Sequence, residues 1–238
     1  MKELEIGDTW ALKRCLFYHR RNMALMPPDS PPHCPRALLL DMDGTLTEPM
    51  LDFPAIKREL GIGDRPILES MAAMNAEDRG RADAILYRHE EAAAGGSTLA
   101  AGCRELLAWA DAHRMPAALV TRNSRMSANT VLARHGLKLD LLITRDDAPH
   151  KPHPDPLHLA CKRLGMRCDQ VWMVGDGRYD IEAAAAAGIR GVWISLGRER
   201  PFAAKPWWVV KDLLELIDLL EQRVRGQAVK PTAVRPAG

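Results

Sequence analysis

At 238 residues the chain has room for one sizeable core and a smaller accessory domain. Its 47% hydrophobic and 27% charged content is that of an ordinary globular protein, and a net charge of +2 is too balanced to argue for a nucleic-acid surface. No apolar run approaches the roughly 18 residues that a membrane-spanning helix needs, and the five cysteines, scattered and without CxxC spacing, read as reduced thiols of a cytoplasmic protein, neither a disulfide framework nor a zinc site.

In residues 1–35, Trp10, Leu12, Cys15, Leu16 and His19 recur at helical spacing among basic side chains, and Pro27-Pro28, Pro31-Pro32 and Pro35 then form a stiff linker. A basic amphipathic start leaves organelle targeting open. Glu3, Glu5 and Asp8 count against it, because transit peptides are poor in acids. The expectation for 1–35 is a poorly ordered extension.

Ala37-Leu38-Leu39-Leu40 reads as a strand buried on both faces, as in a parallel sheet. It ends in Asp41 and Asp43, and Gly44 permits a sharp turn immediately after. Carboxyl ends of strands in open α/β sheets face the ligand crevice. Two ionised carboxylates this close repel each other, which calls for a divalent cation. One carboxylate can attack phosphorus to give an aspartyl-phosphate; the other can protonate the leaving oxygen and then activate water. The run Asp-Met-Asp-Gly-Thr-Leu-Thr resembles the signature of the haloacid dehalogenase (HAD) superfamily, most of whose members are Mg²⁺-dependent phosphatases. The resemblance implies Asp41 as nucleophile and Asp43 as acid/base.

Residues 48–97 have helical character throughout. Phe53 to Leu60 is a short helix closed by Gly61, and Ile67, Met71 and Met74 share one face of the next. A third helix starts near Asn75 or Glu77, carries Ile85 and Leu86 inward, and ends at Ala94 before Gly95-Gly96. Arg79, Arg81, Arg88, His89 and Glu90 either touch substrate or form a solvated helix face. An all-helical insertion here resembles a HAD cap, which would close over the site, exclude water and select the substrate.

A helix over Gly102 to His113 leads into the buried strand Pro116 to Thr121. Arg122-Asn123-Ser124 follows, then a helix over about Ser127 to His135. A strand-end hydroxyl with backbone N–H groups near a helix start makes an anion site. It resembles the second HAD motif, which implies that Thr121 binds a phosphoryl oxygen and makes Arg122 and Asn123 candidate substrate contacts. For Arg122 three readings stay open: phosphate binding, reaching a cap carboxylate, or facing solvent. After a third short strand (Leu139 to Ile143), Lys151-Pro152-His153-Pro154 is a rigid loop resembling the third HAD motif, which implies that the Lys151 ammonium neutralises the nucleophile and the transferring phosphoryl group. His150 and His153 flank it, but hard Mg²⁺ prefers oxygen ligands.

Pro156 to Leu164 reads as a helix with Leu157, Ala160, Cys161 and Leu164 on one face. Val171 to Gly175 is a fourth buried strand, ending in Asp176-Gly177-Arg178-Tyr179-Asp180 before a helix capped by Gly188. Gly-Asp-x-x-x-Asp resembles the fourth HAD motif, which implies that Asp176 is a direct Mg²⁺ ligand and Asp180 a ligand directly or through water, joining the Asp41 carboxylate and the Asp43 backbone carbonyl. Gly191 to Ser195 and Trp207 to Val210 are further strands. Asp212 caps a helix running to about Glu221, and a frayed tail begins at Val224.

Strands alternating with helices imply a doubly wound parallel sheet, with a small helical cap inserted after the first strand. The expected division is a core of residues 36–47 and 98–223, a cap of 48–97, and a tail of 224–238. The expected function is a Mg²⁺-dependent phosphatase of a small phosphorylated metabolite, with no nucleic-acid or membrane partner. A phosphomutase of the same superfamily, or a non-catalytic phospho-ligand-binding protein, is the alternative. The motifs carry no code for the particular substrate or for oligomeric state.

Overall fold

A computed structural model describes residues 34–226; most of the proline-rich extension and residues 227–238 lie outside the described residues. The chain runs β1 (Ala37–Leu40), α1 (Phe53–Leu60), α2 (Ile67–Ala72), α3 (Ala76–Gly96), α4 (Cys103–Ala112), β2 (Ala117–Val120), α5 (Arg125–His135), β3 (Leu141–Ile143), α6 (Asp155–Leu164), β4 (Val171–Gly175), α7 (Arg178–Ala186), β5 (Arg190–Ile194), β6 (Trp208–Val210) and α8 (Leu213–Val224). All pairings are parallel, in the order β3-β2-β1-β4-β5-β6. From β1 the chain steps outward through β2 to β3, then returns to lay β4 on the other side of β1. The strand order therefore reverses between β1 and β4, and the carboxyl ends of those strands frame the crevice where such sheets bind ligands.

Strand periodicity distributes β1 over two apolar layers. Leu38 and Leu40 join the layer containing Leu106, Trp109, Leu216 and Leu220 of α4 and α8. Ala37 and Leu39 join the opposite layer with Leu157, Ala160, Ala183 and Ala184 of α6 and α7. Each fully buried leucine here contributes roughly 1.5–3 kcal/mol. The register aligns Leu40 with Leu119 on one side and Val174 on the other, so the residues just beyond, Asp41, Val120 and Gly175, lie at one level.

The insertion holds helices α1, α2 and α3 around its own apolar cluster of Ile56, Ile62, Ile67, Leu68, Met71, Ala82 and Leu86, with Met74 packed against it. Asn75 caps α3 by accepting from the Asp78 N–H. Two expectations differ. Ala82 and Leu86 are buried on α3, whereas Ile85 is half-buried. Gly95 and Gly96 do not stop the helix: α3 runs through both and closes at Ser97, whose hydroxyl and N–H both donate to the Ala94 carbonyl. The C-terminal half of α3 packs along α5 of the core, and that support holds two glycines that isolated helix propensity disfavours by about 1 kcal/mol each. The shorter shifts are at ends, where caps decide: α5 starts at Arg125 because Ser124 accepts from the Ser127 N–H, α7 starts at Arg178, and α8 extends to Val224.

Candidate active site

The aligned strand ends bring Asp41 of β1 and the loop residue Lys151 together. The Lys151 ammonium donates to Asp41 Oδ1 at 2.7 Å, to Asp180 Oδ1 at 2.6 Å and to the Val120 carbonyl at 2.6 Å, which uses all three of its donors. Only 1% of its side chain is exposed. Burial alone would lower its pKa, but the Asp180 and Asp41 carboxylates outweigh that and raise it.

The acid/base candidate lies apart from this triangle. Asp43 Oδ2 accepts from Asn123 Nδ2 at 2.7 Å. Burial, then the charge of Asp41, pushes its pKa up to about 7; Glu90 and Asp176 add to the rise and the Asn123 hydrogen bond opposes it. A carboxyl poised near neutrality can give a proton in one step and take one in the next. Thr121 is buried at the tip of β2, and its Oγ1 accepts from the Asn123 N–H at 3.1 Å. The hydroxyl proton is therefore directed elsewhere and can be offered to an anion. Asn123 thus orients Asp43 while its backbone binds Thr121.

Asp41, Asp176 and Asp180 each present a carboxylate oxygen within 4.8 Å of one another. The Asp43 side chain is not in this set, so its share in a metal site is confined to the backbone carbonyl. Burial and the charge of Asp41 raise the pKa of Asp176, against the pull of Arg198, whose guanidinium reaches Asp176 Oδ2 at 2.9 Å. The same two causes raise Asp180, against the pull of Lys151. The backbone leaves room for these carboxylates. Gly44 has φ +78°, and a Cβ there would lie 2.4 Å from Asp176 Oδ2; a Cβ at Gly175 would lie 2.2 Å from Asp180 Cγ. Four carboxylates face one buried ammonium and the half-exposed Arg198, so negative charge is in excess. An all-oxygen donor set with excess charge suits a hard divalent cation such as Mg²⁺.

Sequence spacing does not reveal the polar contacts from the insertion. Glu69 of α2 accepts from both terminal nitrogens of Arg122 at 3.1 Å. Arg122 also donates to the Lys151 carbonyl and stacks over the Tyr179 ring at 3.9 Å. Of the three readings open for this residue, the structure shows it reaching a carboxylate of the insertion. Glu90 of α3, a candidate for the solvated face, is 2% exposed; it accepts from the Ser124 N–H at 3.2 Å and pairs with Arg145. Arg79, Arg81, Arg88 and His89 pair with carboxylates of the insertion itself. Glu69, Glu90, Arg145 and Arg198 adjoin the site with no motif of their own; Glu90 is a charged residue at a buried helix position, while Arg145 and Arg198 lie in loops and Glu69 is half-exposed, so their contacts are legible only once the fold is known.

A family model described as haloacid dehalogenase-like hydrolase matches residues 54–194. The chain is 37% identical over 133 residues to a phosphoglycolate phosphatase of Pectobacterium atrosepticum, covering 55% of this chain and 56% of that one. It is 32% identical over 220 residues to an N-acetylmuramic acid 6-phosphate phosphatase of Pseudomonas putida, covering 80% of this chain and 98% of that one. Among solved structures, a hydrolase from Pseudomonas syringae superposes with a TM-score of 0.65 at 24% identity, covering 78% of this chain and 98% of the other; at that identity the likeness speaks for the fold alone.

Proposed function

This chain belongs to the haloacid dehalogenase-like hydrolase family and is a phosphatase, and we propose that it hydrolyses a small phosphomonoester with Mg²⁺ through an aspartyl-phosphate on Asp41. The observation that carries this reading is the pairing of Asp41, held by Lys151 at 2.7 Å, with a separate Asp43 whose carboxyl is poised near 7. Neither half alone gives both a nucleophile and a proton donor.

Asp41, Asp176, Asp180 and the Asp43 carbonyl would hold Mg²⁺, which when bound neutralises phosphoryl charge and aligns the ester with Asp41. The Thr121 hydroxyl holds a phosphoryl oxygen, and the Lys151 ammonium, with its three donors engaged beside Asp41, neutralises charge on the nucleophile and on the transferring phosphoryl group. Asp41 attacks phosphorus in line as Asp43 gives its proton to the departing alkoxide; Asp43 then takes a proton from the water that attacks the aspartyl-phosphate, releasing inorganic phosphate and restoring Asp41. Positioning and charge neutralisation supply most of the acceleration in such displacements. Residues 36–47 and 98–223 form the catalytic core in this reading, and 48–97 is the cap that excludes water and selects the substrate. Its support is the separate apolar cluster of the insertion and the reach of Glu69 and Glu90 into the core. No described helix is long and apolar enough to cross a membrane.

Phosphate release from a panel of phosphomonoesters tests the assignment, with phosphoglycolate and N-acetylmuramic acid 6-phosphate included because the relatives carry those names. Release with Mg²⁺ and none with EDTA is the expected result. Transfer to a sugar-phosphate acceptor in place of release to water would make the protein a mutase. Metal binding gives a second readout. Saturating Mg²⁺ at about 100 times its Kd adds about 2.7 kcal/mol, a rise of roughly 5–10 °C in Tm for a chain of this size. Because Asp176 and Asp180, whose carboxylates would hold the cation, both have raised pKa values, protons compete with it, and the rise is larger at pH 8 than at pH 5.5. An equal or larger rise at the lower pH would remove these carboxylates from the site.

A further inference from the structure

We propose that Glu69, on the insertion, is a positioning residue for phosphoryl transfer, acting through Arg122 on Lys151. The inference rests on the phosphatase reading and adds to it a residue that no motif contains. Arg122 follows Thr121 directly, donates to the Lys151 carbonyl and lies 3.9 Å over the ring of Tyr179, which stands between Asp176 and Asp180 in the chain. One guanidinium therefore touches or adjoins three of the four segments that build the site. Its remaining donors leave the core and close on the Glu69 carboxylate at 3.1 Å through both terminal nitrogens.

A planar guanidinium forked onto a carboxylate has a fixed orientation, which a single hydrogen bond does not impose. The Lys151 side chain is set by Asp41, Asp180 and Val120, but its backbone is set from the other side, where its carbonyl accepts from Arg122 and from His150 Nδ1 at 3.0 Å. Glu69 is the sole acid of α2, and the acids Glu59, Glu77, Asp78 and Asp83 spend their charge on cations inside the insertion. With α2 docked, Glu69 fixes Arg122, and Arg122 fixes the loop that aims the ammonium.

The sign of the test separates this role from two others. Removing a negative charge near an anion site strengthens anion binding by simple Coulomb attraction, so a residue that merely blocks Arg122 would give tighter binding when neutralised. A residue that only braces the insertion would lower Tm and leave anion affinity unchanged. Orthovanadate, a tetrahedral phosphate analogue that expands to five-coordination when a nucleophile adds to it, is titrated calorimetrically into full-length protein with Mg²⁺, beside kcat and KM for p-nitrophenyl phosphate. For Glu69→Gln the expected result is about tenfold weaker vanadate binding and about tenfold lower kcat with KM little changed. Glu77→Gln, whose partner is Arg81 on the same helix, matches wild type in both. Unchanged or tighter vanadate binding by Glu69→Gln overturns the proposal. A wild type that neither binds vanadate nor releases phosphate overturns the phosphatase reading itself, a result distinguishable because it precedes any substitution.

Discussion

Asp41→Asn is expected to abolish Mg²⁺-dependent phosphate release, by about 10⁴-fold or more, while the protein still folds. The amide keeps the size and one acceptor oxygen of the carboxylate, so Lys151 retains a partner at that position. It lacks the nucleophilic charge, so no aspartyl-phosphate forms. Stability moves the opposite way from activity. Burial raises the pKa values of Asp43, Asp176 and Asp180, and the charge of Asp41 raises each of them further. Neutralising Asp41 relieves that repulsion, and the variant in EDTA melts at or above the wild-type temperature. Phosphate release and a thermal melt on the same preparation check both halves. Turnover within tenfold of wild type would move the nucleophile elsewhere. A lower melting temperature in EDTA would show that Asp41 is held chiefly as a partner of Lys151, its repulsion of the other carboxylates being secondary.

The place of this candidate site was legible in the sequence because several of its residues stand where periodicity breaks, and their roles came from the resemblance of those runs to the family's motifs. The run of leucines from Leu38 to Leu40 stops at Asp41, the strand of Ala117–Val120 stops at Thr121, and Val171–Gly175 stops at Asp176. In a parallel sheet those breaks occur at one edge, so order along the chain becomes proximity in space. Lys151 was legible for a different reason, its frame of prolines. What was not legible depends on pairing across long separations: 53 residues divide Glu69 from Arg122, and 55 divide Glu90 from Arg145. On its own helix Glu90 is one acid among several on a charged stretch, and only the packing of α3 along α5 buries it. The same packing carried α3 through Gly95 and Gly96, where local propensity called for a stop.

Glu90 also shows why core and insertion are not energetically separate. Its carboxylate meets Arg145 and the N–H of Ser124, the residue that caps α5. A buried pair of this kind balances a large desolvation cost against its mutual attraction, and breaking one side leaves the other uncompensated. The pair therefore restricts where the C-terminal half of α3 can sit, and α1 and α2, packed on α3 through the apolar cluster of the insertion, add a polar contact of their own with Arg122 through the half-exposed Glu69.

The same reasoning applies with greater force at Lys151. Lys151→Met keeps the length and apolar stem of the side chain but leaves the Asp41 and Asp180 carboxylates without the cation that binds both. Removing one partner of a buried ionic cluster costs about 3–5 kcal/mol, a fall of roughly 6–20 °C in Tm for a chain of this size, and activity is expected to be lost with the charge that neutralises the nucleophile and the phosphoryl group. The effect depends on pH in a definite direction. The folded-state pKa of Asp180 is raised by burial and by Asp41 in spite of Lys151; without the ammonium it rises further. Between the unfolded carboxylate value, about 3.9, and the folded one, the folded protein binds more protons than the unfolded chain, so stability falls as pH rises through that window. The deficit of the variant against wild type is therefore larger at pH 8 than at pH 5.5, when both are melted in EDTA. Adding Mg²⁺ recovers part of it at pH 8, because a divalent cation among Asp41, Asp176 and Asp180 opposes the repulsion that the missing ammonium no longer offsets. A deficit independent of pH would mean that the loss comes from packing of the lysine stem, and it would separate the structural role of Lys151 from its charge.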